Sequence, residues 1–279
     1  MVHAASVSNE QGFARAGRRI LQSVFIGASM LGVAGPIHAN GSADFTVKFQ
    51  RCTEFVGVAG VDGAKADALV PDRFKIASFY GIPGRSSIVV RVSNCDSVGI
   101  DGGPGRPGTV AHIGLNIQAP DNDGSTINNY TLSYASDNAQ LVTKLQAAGI
   151  PAAHDANLAY VFTPSTPPSG TVFASVTPQL APQPSPSWFV QGKTGGSFAS
   201  FPGLAPFIAN WWRSGKGYAT KMNTVIESIL FFDASEVSFF TSPFNFVGNL
   251  IGTHTIGPFN ELPVRGTFDH ATMRVTVRP

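Results

Sequence analysis

Four side chains stand where they could carry chemistry: Glu54, Arg91, His112 and Lys221. His112 falls in the middle of an alternating run, residues 109–118, whose other face is Ala111, Ile113, Leu115 and Ile117. It shares its own face with Gly114 and Asn116, which leaves space beside an imidazole able to act as acid or base near neutral pH. The plainer reading is a buried histidine bonded to a backbone carbonyl, since no partner stands near it in sequence. Arg91 interrupts the apolar run 87–94, and Glu54 shares a face with Cys52. Together they can form a buried ion pair, a structural device as often as a reaction site. Lys221 and Glu227 offer a second pair, although a lysine on a strand is commonly a solvated edge charge.

The other reactive residues point to less. Gly195-Gly196-Ser197-Phe198-Ala199 approximates a nucleophile elbow but lacks its last glycine and any strand–turn–helix setting. The glycine- and proline-rich loop 101–108 lacks the Gly-Lys-Ser/Thr ending and the following helix of a phosphate loop. No His-Glu-x-x-His or Cys-x-x-Cys occurs, so neither a metal nor a cofactor is expected. The two cysteines, Cys52 and Cys95, have no second Cys or His at ligand spacing. They read as a disulfide in an oxidising compartment, with two buried free thiols as the alternative.

The compartment follows from the first 39 residues. Arg15, Arg18 and Arg19 form a basic head, no charged side chain occurs from Ile20 to Ala43, and Pro36 and Ala39 close the segment. Charge, apolar run and small-residue exit make a signal peptide. Its apolar core is short of the ~20 residues needed to cross a bilayer. Cleavage is therefore expected, leaving one domain, residues 40–279, secreted or periplasmic and without a membrane span. The leader takes three of the 19 basic and one of the 17 acidic residues, so the remainder is balanced at 16 each. A neutral chain without a basic cluster excludes nucleic acid as the expected partner. With 13% charged and 43% hydrophobic residues, it should fold around a sizeable core.

Positioning these residues falls mainly to strands. Runs at 45–58, 87–94, 109–118, 128–134, 171–176, 207–213, 218–222, 225–232, 236–241, 264–268 and 272–277 have strand character. Thirty glycines and twenty prolines supply the turns. Residues 138–148 form the main helix, with Ser136 as its expected cap, Leu141, Val142 and Leu145 as its apolar stripe, and Gly149 and Pro151 ending it. Short helices are expected at 62–70 and 243–251. The proline-rich stretch 163–187 reads as a surface excursion containing a strand. The fold class is β-dominated α+β: a single closed antiparallel β-barrel with one main helix and a few short ones.

The segment Glu54-Phe55-Val56-Gly57-Val58, then Ala66-Asp67-Ala68-Leu69-Val70-Pro71, then the strand 88–92, resembles the start of the acetoacetate decarboxylase-like family. That family opens with a strand, a short helix ending in a Val-Pro step and a second strand, at the front of a closed conical barrel. The later Asn129-Tyr130 strand and the helix at 140–149 fit the same layout, so the resemblance spans about half of the mature chain. It implies Schiff-base decarboxylation by a lysine whose pKa is lowered by burial and a neighbouring lysine. The catalytic parts do not carry over. The nearest lysines, Lys216 and Lys221, are five apart, Gly60 stands where the family has an arginine, and the loop 101–108 lacks the acidic motif.

Two functional classes stay open. One is a secreted barrel that binds a small apolar or carbonyl-containing molecule. The other is a cofactor-free lyase, isomerase or hydrolase acting on such a molecule. Trp188, Trp211, Trp212, Phe207 and the Phe-rich 231–246 region supply aromatic surface for a cavity wall or for ordinary core. Strand alternation alone does not orient a sheet buried on both sides. If the helix 138–148 covers the outer wall, that wall must be apolar, and the faces with His112 and Arg91 turn inward.

Overall fold

The run that begins at Phe45 continues without a break to Asp62, and this long strand organises the molecule. The computed structural model describes residues 44–123, 126–178, 186–196, 206–215, 217–259 and 262–278. The expected leader, Ser197 and Lys216 lie outside the described residues.

Strand β1 (Phe45–Asp62) leads into the short helix α1 (Gly63–Asp67), capped by the Asp62 carboxylate accepting from the Lys65 amide at 2.9 Å. A single 3-10 turn, Phe79–Gly81, precedes β2 (Arg85–Ile100), β3 (Arg106–Asn116) and β4 (Ile127–Ser136). Helix α2 (Ala139–Ala147) and β5 (Ala152–His154) follow. Next come β6 (Ala159–Pro164), β7 (Gly170–Val176) and β8 (Trp188–Thr194), then β9 (Phe207–Ser214), β10 (Ala219–Ile226), β11 (Leu230–Asp233) and β12 (Glu236–Thr241). Helix α3 (Phe246–Ile251), β13 (Thr255–Ile256) and β14 (Val264–Arg278) end the described chain.

Seven strands close on themselves in the order β1-β2-β3-β4-β9-β10-β14, with β14 pairing back onto β1. The barrel is mixed and not purely antiparallel as expected, because β4 runs parallel to β9, Asn129 opposite Trp211. Parallel neighbours need a long crossover. Here the crossover is residues 137–206, which carry α2 and three strands of a second sheet. That second sheet, β13-β12-β8-β7-β6, is the other departure from a single barrel. The excursion at 163–187 supplies its β7. The two runs expected at 264–268 and 272–277 are one strand, β14, which pairs with β1 along one edge and with β10 and β11 along the other.

Two apolar clusters divide the structure. The first joins the outer faces of β1, β2 and β3 (Phe55, Ile88, Val90, Val92, Ile113, Leu115) to Val172, Ala174, Trp188, Val190, Val237 and Phe239 of the second sheet. These strands are therefore buried on both sides, which their short polar content reflects. The second cluster fills the barrel from one end with Phe45, Val47, Phe49, Tyr134, Phe268 and Met273. Helix α2 adds Leu141, Val142 and Leu145 to this interior cluster. The cover on the β1–β3 wall is thus the second sheet and not the helix. Asn138, not Ser136, caps α2, its side chain accepting from the Leu141 amide at 3.1 Å; such a cap contributes ~1 kcal/mol. Ser136 instead donates to the Thr109 carbonyl at 3.0 Å and accepts from the Asn138 amide.

Cys52 and Cys95 are direct partners on β1 and β2 and are joined by a disulfide, Cα to Cα 4.1 Å. Among the described residues no helix is long and apolar enough to cross a membrane.

Candidate functional site

The barrel interior is packed at one end and hollow at the other. Toward the ends of β1, β3 and β10 and the starts of β2, β4 and β9, the inward side chains shrink to Val56, Val58, Ser87, Val89, Ala209 and Thr224. A small barrel is filled by its own side chains only where they are large. Here they leave a cavity of about 390 Å³. The turn at Phe79–Gly81, with Ile127, Phe207, Phe231 and Leu262, borders the cavity's mouth, and Glu54, Arg91 and Trp211 line its depth.

Glu54 and Arg91 meet inside the barrel. Arg91 donates from Nε and Nη2 to one carboxylate oxygen of Glu54, Oε2, each at 2.8 Å. Ser93 donates to the same oxygen at 3.0 Å. Glu54 is 1% exposed, and its room comes from Gly266 directly across on β14, where a Cβ would lie 3.1 Å from the Glu54 side chain. The other carboxylate oxygen, Oε1, lies beside Gly266, 3.3 Å from where a Cβ would stand there. A guanidinium carries five donors. With one edge anchored on Glu54, Arg91 keeps a second edge for an oxygen in the cavity.

His112 is the direct cross-strand partner of Arg91 and is buried. Its ring stacks on Trp211 at 3.7 Å, meets the Tyr134 ring edge-on at 4.8 Å and places Nε2 3.1 Å from the Thr131 hydroxyl. Burial, followed by the Arg91 charge, holds its pKa well below the ordinary 6.5, so the imidazole is neutral. Trp211 lies over Gly114, where a Cβ would come within 2.6 Å of its ring. The space beside the histidine expected from Gly114 is thus occupied by indole, and the cavity is lined there by Trp211.

Lys221 is not brought to this group. It alternates with the inward-facing Met222 and Thr224 and stands on the outer wall, Nζ 2.6 Å from Asp121 Oδ2 and 4.9 Å from the centre of the Trp212 ring. Its partner is Asp121 and not Glu227. No described lysine lines the cavity. The Schiff-base chemistry implied by the family resemblance thus finds no lysine among the described lining residues.

Several lining residues escaped the reading of the sequence, chiefly Asn129, Ser87 and Thr224, whereas Trp211 and Phe207 belong to the aromatic surface expected for a cavity wall or core. Asn116 and Asn129 face each other across β3 and β4, and the Oδ1 atoms of both are buried without a hydrogen-bond partner. The signal available in sequence was a polar residue inside an otherwise apolar strand, which marks Asn129 no more strongly than its neighbour Asn128. Asn128 faces the other way and accepts from Trp212 Nε1 at 2.9 Å. Among the described residues no group of His, Cys, Asp and Glu could hold a metal ion.

A closed seven-stranded barrel with this strand order has the acetoacetate decarboxylase-like fold. The structure is similar to an acetoacetate decarboxylase-like enzyme from Sphingomonas wittichii RW1, with a TM-score of 0.50 and 9% identity over 85% of this chain and 91% of that one. It is equally similar to a structure of acetoacetate decarboxylase, with a TM-score of 0.50 and 10% identity over 83% of this chain and 88% of the other. The sequence matches no protein-family model and no curated protein.

Proposed function

We propose that this protein is a cofactor-free enzyme that acts on a small, largely apolar carbonyl compound held in the barrel, and that it works outside the cytoplasm. The observation that carries the reading is Arg91, which lines an apolar cavity, is anchored on Glu54 through two of its nitrogens and so has guanidinium donors to spare. A carbonyl or carboxylate oxygen placed there takes up those donors. The Glu54 carboxylate then removes a proton from the carbon beside the carbonyl, while the charge that develops on the oxygen is met by Arg91. Return of the proton to the same or a neighbouring carbon completes an exchange or isomerisation, and no external reagent is consumed. The description of a solved structure of the same fold as an enzyme supports this reading. The Cys52–Cys95 bond and the leader-like first 39 residues support export.

A second reading, a binding barrel without chemistry, is favoured by the apolar lining and by the three donors already held on Glu54 Oε2. One experiment separates the two. A methyl ketone and a 2-oxo acid are incubated with the protein in deuterated water, and exchange beside the carbonyl is followed by NMR. Exchange that is lost in Glu54→Gln while binding persists supports the enzyme. Arg91-dependent binding without exchange supports the binding barrel, and failure of both compounds to bind overturns the site.

A further inference from the structure

We propose that Asn129, with Asn116, forms a second polar subsite in the cavity, and that the ligand carries a hydroxyl or amide group to fill it. The inference rests on the proposed carbonyl site at Arg91 and names the other end of the same molecule.

Asn129 is 2% exposed, yet its side chain lines the cavity and its Oδ1 has no hydrogen-bond partner. Its cross-strand neighbour Asn116 is half-buried and also lines the cavity, and the Oδ1 atoms of both are buried without a partner. Buried amides are almost always satisfied, and two orphaned ones side by side are rare in a folded protein. The two unmatched atoms are acceptors, so what satisfies them is a hydrogen-bond donor. Elsewhere in the interior, Ser93 is held on Glu54 and His112 on Thr131. The unmatched pair therefore reads as a site awaiting a ligand with a donor of its own.

Its position sets the shape of that ligand. Asn116 lies four residues along β3 from His112, the partner of Arg91, which is ~13 Å of strand. Between the two polar ends the walls are Val56, Val58, Val89 and Ala209. The cavity thus fits a chain-like molecule with an oxo or carboxylate oxygen at Arg91, an apolar middle and a hydroxyl or amide at Asn129. A pocket built to hydrogen-bond a hydroxyl discriminates strongly against the analogue that lacks it, because the analogue buries the site's polar groups unpaired.

Binding of octanoate and ω-hydroxyoctanoate is measured by calorimetry on the wild type, Asn129→Leu and Arg91→Met. The expected result is that the wild type binds the hydroxylated acid about 10- to 100-fold more tightly. Asn129→Leu should lose that preference while keeping its affinity for octanoate, which also certifies its fold. The same substitution should raise the melting temperature, since it removes an unsatisfied buried group; a purely structural asparagine would lower it. Equal, Arg91-dependent binding of both acids by the wild type overturns the subsite and leaves the Arg91 site standing. Failure of both acids to bind, or binding that survives Arg91→Met unchanged, overturns the Arg91 site and the inference resting on it.

Discussion

Arg91 spends two of its nitrogens on one oxygen of Glu54, at 2.8 Å each, and Ser93 donates to that same oxygen at 3.0 Å. The pair is thereby both a brace between β1 and β2 and an asymmetric chemical group, with three donors gathered on one of the two carboxylate oxygens. Glu54 and Ser93 are direct partners in the ladder, and Arg91 stands one inward position further along β2, so the strand register alone brings all three together.

Breaking this brace from one side should be costly. Arg91→Leu leaves a carboxylate that is 1% exposed without its counter-charge, and a loss of ~3–5 kcal/mol is expected. The double variant Glu54→Leu with Arg91→Leu should recover much of that loss. Urea unfolding of the wild type, both single variants and the double variant measures the coupling, and additive effects would contradict a direct pair.

His112 should make the protein acid-sensitive. Its folded pKa is depressed by burial and by Arg91, while the unfolded chain titrates near 6.5. Below that pH the unfolded state binds a proton that the folded state refuses, so stability is present above about pH 6.5 and falls as the pH drops toward the folded value. The slope contributed by this group is at most about 1.4 kcal/mol per pH unit. Stability curves against pH for the wild type and His112→Gln should diverge below neutrality, with the shallower curve belonging to the variant.

The Cys52–Cys95 bond closes a loop with a sequence separation of 43 residues. Replacing both cysteines by alanine should lower stability by roughly 3–4 kcal/mol in the chain-entropy account. Thiol titration of the exported protein under denaturing, non-reducing conditions should find no free thiol, and two free thiols would show that the bond does not form there.

Lys221→Met should leave binding and turnover unchanged, because the ammonium lies on the outer wall with Asp121 and Trp212. The expected change in stability is ~0–1 kcal/mol, as for other partly exposed pairs. A large loss of activity would place this lysine in the site after all.

Much of the architecture was legible in local pattern. The strand alternation put Arg91 opposite Val90 and Val92, and His112 opposite Ala111 and Ile113, because successive side chains on a strand point to opposite faces. Helix α2, its apolar stripe and its glycine stop were likewise local properties of residues 138–149. The closed barrel of the sequence reading is present, but its purely antiparallel, single-sheet form failed where contacts are long-range. The parallel pairing of β4 with β9 joins residues about 80 positions apart, and it alone brings Trp211 beside Asn129.

What the sequence by itself determined is therefore which residues share a face: Glu54 with Val56, Arg91 with Val89, His112 with Gly114 and Asn116. What only the tertiary structure decided is which of those faces is inside. The apolar faces of β1–β3 turned outward because a second sheet, assembled from residues 159–256, covers them, and the polar faces were left to the barrel interior. The same closure turned Lys221 outward and Thr224 inward. Alternation is a property of neighbouring residues, whereas the side that gains cover depends on strands far away in the chain, and burial on both sides erases the contrast that would mark the inner one.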